Sequence, residues 1–196
     1  MTDKPEPLAF QFADDGAVPN NRLPFLVYRG AIDVARVKDP AAAIEKTFEQ
    51  NGWGHGMWRN GIFPFVHYHS QIHEVLGIAH GHARVRFGGD HGEVLDVAAG
   101  DIAVLPAGTG HQRISATPDL LVIGAYPPEG HYDLCRGTAA EHARASATIC
   151  CVTRTAPTSR ARPPAVAART GMVRRTGRLS MRIVRSGRDG GAHRGR

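Results

Sequence analysis

Short apolar runs separated by glycine turns fill the chain from Trp58 to about Tyr126, and their period alternates as strands do rather than repeating every third or fourth residue. Residues 63–69, 74–79, 83–87, 94–98, 102–105 and 120–126 are the predicted strands, with the turns Gly88-Gly89-Asp90-His91-Gly92, Ala99-Gly100-Asp101 and Pro106-Ala107-Gly108-Thr109-Gly110 between them. Ahead of this stretch, residues 24–28 (Pro-Phe-Leu-Val-Tyr) read as one more strand. Asp39-Pro40 then opens a short helix, since Asp is a favoured N-cap and Pro fits the first helical position. Ala43, Ile44 and Phe48 give that helix an apolar face, and Gly52 can end it in a left-handed conformation. The pattern predicts an all-β sandwich or barrel with a short N-terminal helix; a small barrel of this kind holds side chains or one small ligand.

Charge divides the 196 residues into unlike parts. Residues 1–145 carry a net −5, whereas residues 146–196 carry 12 Arg, no Lys and a single acid, Asp189, for a net +11. The expected organisation is an N-terminal extension (1–19), one β domain (20–145) and a basic, low-complexity tail (146–196) whose self-repelling arginines and missing periodicity predict disorder. A short run from Leu179 to Val184 is the exception, suited to an isolated strand or a turn of helix. Three readings of the tail compete: an arm that binds nucleic-acid phosphates, inert solvated chain, or the product of a reading-frame change in GC-rich DNA. Arg without Lys, amid Ala, Pro and Gly, favours the last. No aromatic residue interleaves with the arginines to stack bases, and the acidic body opposes nucleic-acid binding. No apolar stretch reaches membrane-spanning length, and the N-terminus Met1-Thr2-Asp3-Lys4-Pro5 lacks the features of a signal peptide. Cys135, Cys150 and Cys151 form neither a CxxC pair nor a disulfide framework, so the expected compartment is the cytoplasm.

The chemistry gathers in His67-Tyr68-His69, Glu74 and His111. Alternation along a strand sends both imidazoles of the first segment to one face. Glu74 opens the next strand, and His111 follows a tight turn on a third. Three neutral imidazoles and one carboxylate make a mixed nitrogen and oxygen set suited to one first-row divalent metal per chain, with Fe, Mn, Ni, Zn and Cu all acceptable.

The spacing carries a resemblance. Gly61-x5-His67-x-His69-x4-Glu74-x6-Gly81, followed by Gly100-x5-Pro106-x-Gly108-x2-His111, is similar to the two motifs of the cupin superfamily; only the Asn often found four residues after the last His is replaced, by Ser115. Trp58-Arg59-Asn60-Gly61-Ile62-Phe63, His73-Glu74-Val75-Leu76-Gly77 and Gly124-Ala125-Tyr126-Pro127 resemble the YjlB-like branch of those proteins. Over residues 20–145 the resemblance implies a single jelly-roll β-barrel, a metal held by His67, His69, Glu74 and His111, and a homodimer as in other small cupins. It implies no particular substrate.

Other residues read more plainly. His73 should point away from the metal face and support the ligands from behind. Its pairing with Glu74 is no zincin motif, because Gly77 stands where the second His is required. Gly52-Trp53-Gly54-His55-Gly56 lacks the spacing of a dinucleotide loop. His80, His82 and His91 suit a solvated turn, Trp53 and Trp58 suit core or rim packing, and no nucleophile motif surrounds Cys135. Arg59, Tyr126 and Tyr132 are candidates for the barrel mouth, where they could recognise an anionic substrate. The functional expectation is a metal-dependent enzyme of dioxygenase or isomerase type acting on a small polar metabolite. A binding or sensing protein without turnover is the alternative, and nucleic-acid association through the tail a distant third.

Overall fold

The computed structural model describes residues 6–155, with side chains as far as Ile149. Its strands are β1 (Leu8–Phe10), β2 (Phe25–Tyr28), β3 (His55–Asn60), β4 (Glu74–His80), β5 (His82–Phe87), β6 (Glu93–Ala98), β7 (Ile102–Leu105), β8 (His111–Ala116) and β9 (Leu121–Tyr126). Two helices join them, α1 (Pro40–Gln50) and α2 (Ala139–Thr155). The strands form a six-stranded antiparallel sheet in the order β1-β2-β7-β4-β9-β3 and a three-stranded one in the order β6-β5-β8. This is the all-β architecture expected; β4 to β7 and β9 lie within a residue of their predicted bounds, while β8, which carries His111, had no bounds predicted.

The core fills the space between the sheets. Leu76 and Ile78 of β4, Phe25 and Val27 of β2 and Leu105 of β7 pack with Ala83, Val85 and Phe87 of β5 and Val97 of β6. The outer face of the large sheet is covered as well. Val75 and Ala79 of β4, with Ile123 and Ala125 of β9, meet Ile44 and Phe48 of α1. Strand β4 is therefore buried on both faces, which is why its sequence, Glu-Val-Leu-Gly-Ile-Ala-His, is almost uniformly non-polar.

Helix α1 starts and stops as its sequence dictates. The Asp39 carboxylate accepts the Ala42 N–H at 3.0 Å. At the other end Gly52, at φ 79°, donates to the Glu49 carbonyl while Trp53 donates to that of Phe48, a Schellman closure.

Three expectations need correction. Residues 63–69 are not a regular strand: Pro64 removes a backbone donor, the chain bends at Pro64-Phe65, and only His67 and Tyr68 make isolated bridges, to His111 and Cys135. Strand β1 lies inside the expected N-terminal extension and pairs with β2. Disorder from residue 146 is overturned for residues 146–155, which continue α2. Those ten residues hold one arginine, Arg154, so a charge sum over the whole tail misrepresents them. Ala145 and Ile149 of α2 are buried beside Tyr68, Val18 and Cys135. The remaining tail calls, including the run at 179–184, the frame-change reading and nucleic-acid binding, fall outside the described residues.

Candidate metal centre

Backbone pairing on both sides places the His67-Tyr68-His69 segment. His67 exchanges two hydrogen bonds with His111, the first residue of β8, at 3.1 and 2.9 Å. Tyr68 exchanges two with Cys135, at 3.1 and 3.0 Å. The His69 carbonyl accepts from the Gly108 N–H at 2.7 Å, tying the segment to the turn that delivers His111. Gly108 sits there at φ 86°, a conformation open to glycine and strained for other residues. An extended backbone without a regular ladder still alternates, so both imidazoles point inward while Tyr68 points away, into the cluster under α2.

Ligand nitrogens of His67, His69 and His111 lie within 4.8 Å of one another, and all three side chains are buried. Each ring directs Nδ1 at a backbone carbonyl: His67 at Phe65 (3.1 Å), His69 at Asp133 (2.5 Å) and His111 at Thr109 (3.3 Å). A carbonyl only accepts, so Nδ1 carries the proton and Nε2 keeps its lone pair for the centre. Glu74, at the start of β4, brings Oε2 to 3.5 Å from His69 Nε2 and 3.3 Å from His111 Nε2. That oxygen is buried and accepts no hydrogen bond.

The electrostatics divide the buried groups. Burial, then the neighbouring His111, push the His67 pKa from 6.5 to about 3 and hold that ring neutral. Burial also opposes the charge on Glu74, but attraction to the His111 and His69 imidazoles outweighs it and lowers its pKa. Glu74 in turn raises the pKa of His69 against that ring's own burial. Without an ion, the Nε2 positions facing Glu74 therefore attract protons that a metal would displace. A buried carboxylate oxygen without a hydrogen bond, beside three oriented imidazoles, is the donor set a divalent cation completes. The residues fit the ion.

The centre opens on a cavity of about 570 Å³. Arg59, Tyr126 and Tyr132 all line it. Arg59 is less available than expected: its guanidinium makes a bidentate pair with Glu45 of α1, at 2.6 and 2.8 Å. The Tyr126 hydroxyl accepts the Trp58 indole N–H at 3.2 Å. Burial and the nearby Glu74 charge raise its pKa, so it stays a phenol. Tyr132, 56% exposed, sits over His69 with ring centroids 5.0 Å apart, and meets Tyr126 edge-on at 5.7 Å.

His73 lies behind the ligands. Its Nδ1 accepts the Ala107 N–H at 2.8 Å, bracing the turn before His111, and its Nε2 is buried without a partner. His80, His82 and His91 are exposed. Cys135 is buried, and burial with the adjacent Asp133 carboxylate pushes its thiol up to about 11, away from nucleophilic use at neutral pH.

Sequence reasoning passed over Trp58 as a cavity wall and Asp133 altogether. Trp58 belongs to β3, whose sequence His-Gly-Met-Trp-Arg-Asn shows no apolar alternation because one of its faces borders the cavity. Asp133 touches the centre through its carbonyl, a group every residue type carries.

Comparison with known proteins places these features in context. An uncharacterized protein, YjlB, of Bacillus subtilis is 39% identical over 133 residues, covering 67% of this chain and 76% of that protein. A DUF861 family protein of Thermotoga maritima shares 17% identity over 44% of this chain and 92% of its own, with a TM-score of 0.29. Oxalate decarboxylase of Bacillus subtilis, a protein with Mn(II) centres, shares 16% identity over 67% of this chain, at a TM-score of 0.31. This chain spans 30% of the decarboxylase. No protein-family model matches the chain.

Proposed function

The chain belongs to the YjlB-like cupins, and from that premise we propose that it is a metal-dependent enzyme, of dioxygenase or isomerase type, that acts on a small polar metabolite. His67, His69, His111 and Glu74 hold the ion in this reading. One observation carries it: three buried imidazoles, each fixed through Nδ1 to a backbone carbonyl, turn their remaining nitrogens to a common point on a cavity large enough for a metabolite. When bound, the ion supplies Lewis acidity and, for a redox-active metal, electrons for oxidative chemistry.

The protein's own groups do the rest. Glu74 offsets part of the ionic charge. Tyr126 accepts from Trp58 and so keeps its own hydroxyl proton for donation to a substrate oxygen. Tyr132 and Trp58 wall the cavity and limit water. The Arg59–Glu45 pair supports the mouth instead of offering a free cation, which favours substrates bound chiefly by the metal over substrates bound by a rim arginine.

Elemental analysis tests the ligands. His69→Ala and Glu74→Ala should lose stoichiometric metal, whereas a substitution at His73 should weaken binding only about 10–100-fold. Equal metal content in all three variants refutes the assignment. Protein loaded anaerobically with Fe(II) and screened against small polar metabolites then separates the chemistries. Oxygen consumption marks the dioxygenase, and turnover without oxygen marks the isomerase. Ligands that raise the melting temperature yet never change identify a binding protein instead.

A further inference from the structure

The segment after β9 returns across the mouth of the cavity, and residues 130–135 form a strap over it. The strap does two jobs with two consecutive residues. Tyr132 covers His69 from the cavity side, and the carbonyl of the next residue, Asp133, accepts the His69 Nδ1 proton. The Asp133 side chain points back to the segment that carries His69: its Oδ1 accepts the Ser70 N–H at 2.7 Å, and its Oδ2 accepts the Ser70 hydroxyl at 2.6 Å and the Cys135 thiol at 3.3 Å. Cys135 then pairs with Tyr68 through the backbone.

The strap lies close at its root as well. A β-carbon at Gly130 would stand 2.6 Å from the Gln71 carbonyl oxygen. These contacts fasten the strap to residues 68–71 at several points, while the side chains of His131, Tyr132 and Leu134 stay exposed. His67 and His111 find their carbonyls two residues away in their own sequence, at Phe65 and Thr109. His69 alone of the three takes its carbonyl from a distant segment, 64 residues on. Nothing local guarantees that this carbonyl is in place, so its position depends on whatever holds the strap.

Resting on the metal-centre reading above, we propose that Asp133 is a positioning residue: its carboxylate clamps Ser70 so that its own carbonyl fixes the tautomer and orientation of His69. The clamp lets the Tyr132 side chain swing aside for a ligand while His69 stays aimed at the ion.

Co(II) titration of the full chain, with chelator competition and the visible d–d spectrum as readouts, tests this without any turnover assay. Asp133→Ala should weaken Co(II) about 10–100-fold and alter the d–d bands, because the carbonyl that orients the ligating His69 is no longer held in place. The isosteric Asp133→Asn keeps an oxygen for the Ser70 N–H and a donor for its hydroxyl, and should restore affinity and spectrum to near wild type. A role in folding alone would lower the melting temperature of Asp133→Ala and leave the spectrum of its folded fraction unchanged. That result overturns the proposal, as does wild-type affinity in the folded variant. Should Asp133→Ala fail to fold, Ser70→Ala, which removes one of the two clamping donors, carries the test: a several-fold weakening supports the clamp and unchanged affinity overturns it. A wild-type protein that binds no Co(II) fails at the earlier reading, and the clamp falls with it; binding that ignores Asp133 and Ser70 sinks the clamp alone.

Discussion

Tyr68 is fully buried, and its hydroxyl has no hydrogen-bond partner among the described residues. An unpaired polar atom in such a place is a standing cost, while the ring contributes burial against Val18, Cys135, Ala145 and Ile149. Tyr68→Phe keeps the ring and removes the orphan, and should stabilise the protein by about 1 kcal/mol, seen as a higher melting temperature. His67 gives a pH dependence whose sign follows from its neighbours. In the metal-free protein the folded state keeps this ring neutral down to about 3, whereas the unfolded chain protonates it near 6.5. Between those values the unfolded state binds more protons, so stability falls as the solution is acidified. His67→Asn, which cannot titrate, should flatten the slope of melting temperature against pH across that window; an unchanged slope refutes the buried neutral assignment.

At the level of elements, β4 couples the helix side to the metal side. Glu74 and Leu76 face inward, whereas Val75, Gly77 and Ala79 lie under α1. A β-carbon at Gly77 would stand 2.5 Å from Ile44 Cγ2 and 3.1 Å from Phe48 Cζ. Gly77→Ala should therefore push α1 outward at a cost of about 1–3 kcal/mol, measured by chemical denaturation. Elements of this kind were legible in the sequence where apolar period, caps and turn residues agree, as in β4 through β7, β9 and α1. Legibility failed where a different force decides. Strand β3 spends a face on the cavity and so loses its alternation, β1 is a three-residue edge, and α2 begins in acidic sequence and ends in basic. The convergence of His67, His69, His111 and Glu74 was readable because side-chain identity and spacing encode it. Asp133 was not, since hydrogen bonding through a carbonyl leaves no mark in residue type.

For the whole molecule, the four groups proposed to bind the ion come from the 67–69 segment, from β4 in the large sheet and from β8 in the small one. An ion there cross-links both sheets, so removing it should destabilise the fold globally. With free metal at 100 times its dissociation constant, the linkage is worth about 2.7 kcal/mol. Chelation should lower the melting temperature, and re-addition of metal should restore it in proportion to the logarithm of concentration. A melting temperature indifferent to chelator, in protein shown to contain metal beforehand, contradicts this cross-link.

The outward nitrogens of all three imidazoles rest on main-chain oxygens, and no acidic side chain shares that duty. Main-chain groups, which every residue type carries, therefore do the aiming. A side-chain exchange in the cavity lining, at Trp58 for example, leaves every one of these carbonyl contacts in the chain. A lineage, or a protein engineer, can thus change what enters this cavity while keeping the main-chain contacts that orient the three imidazoles.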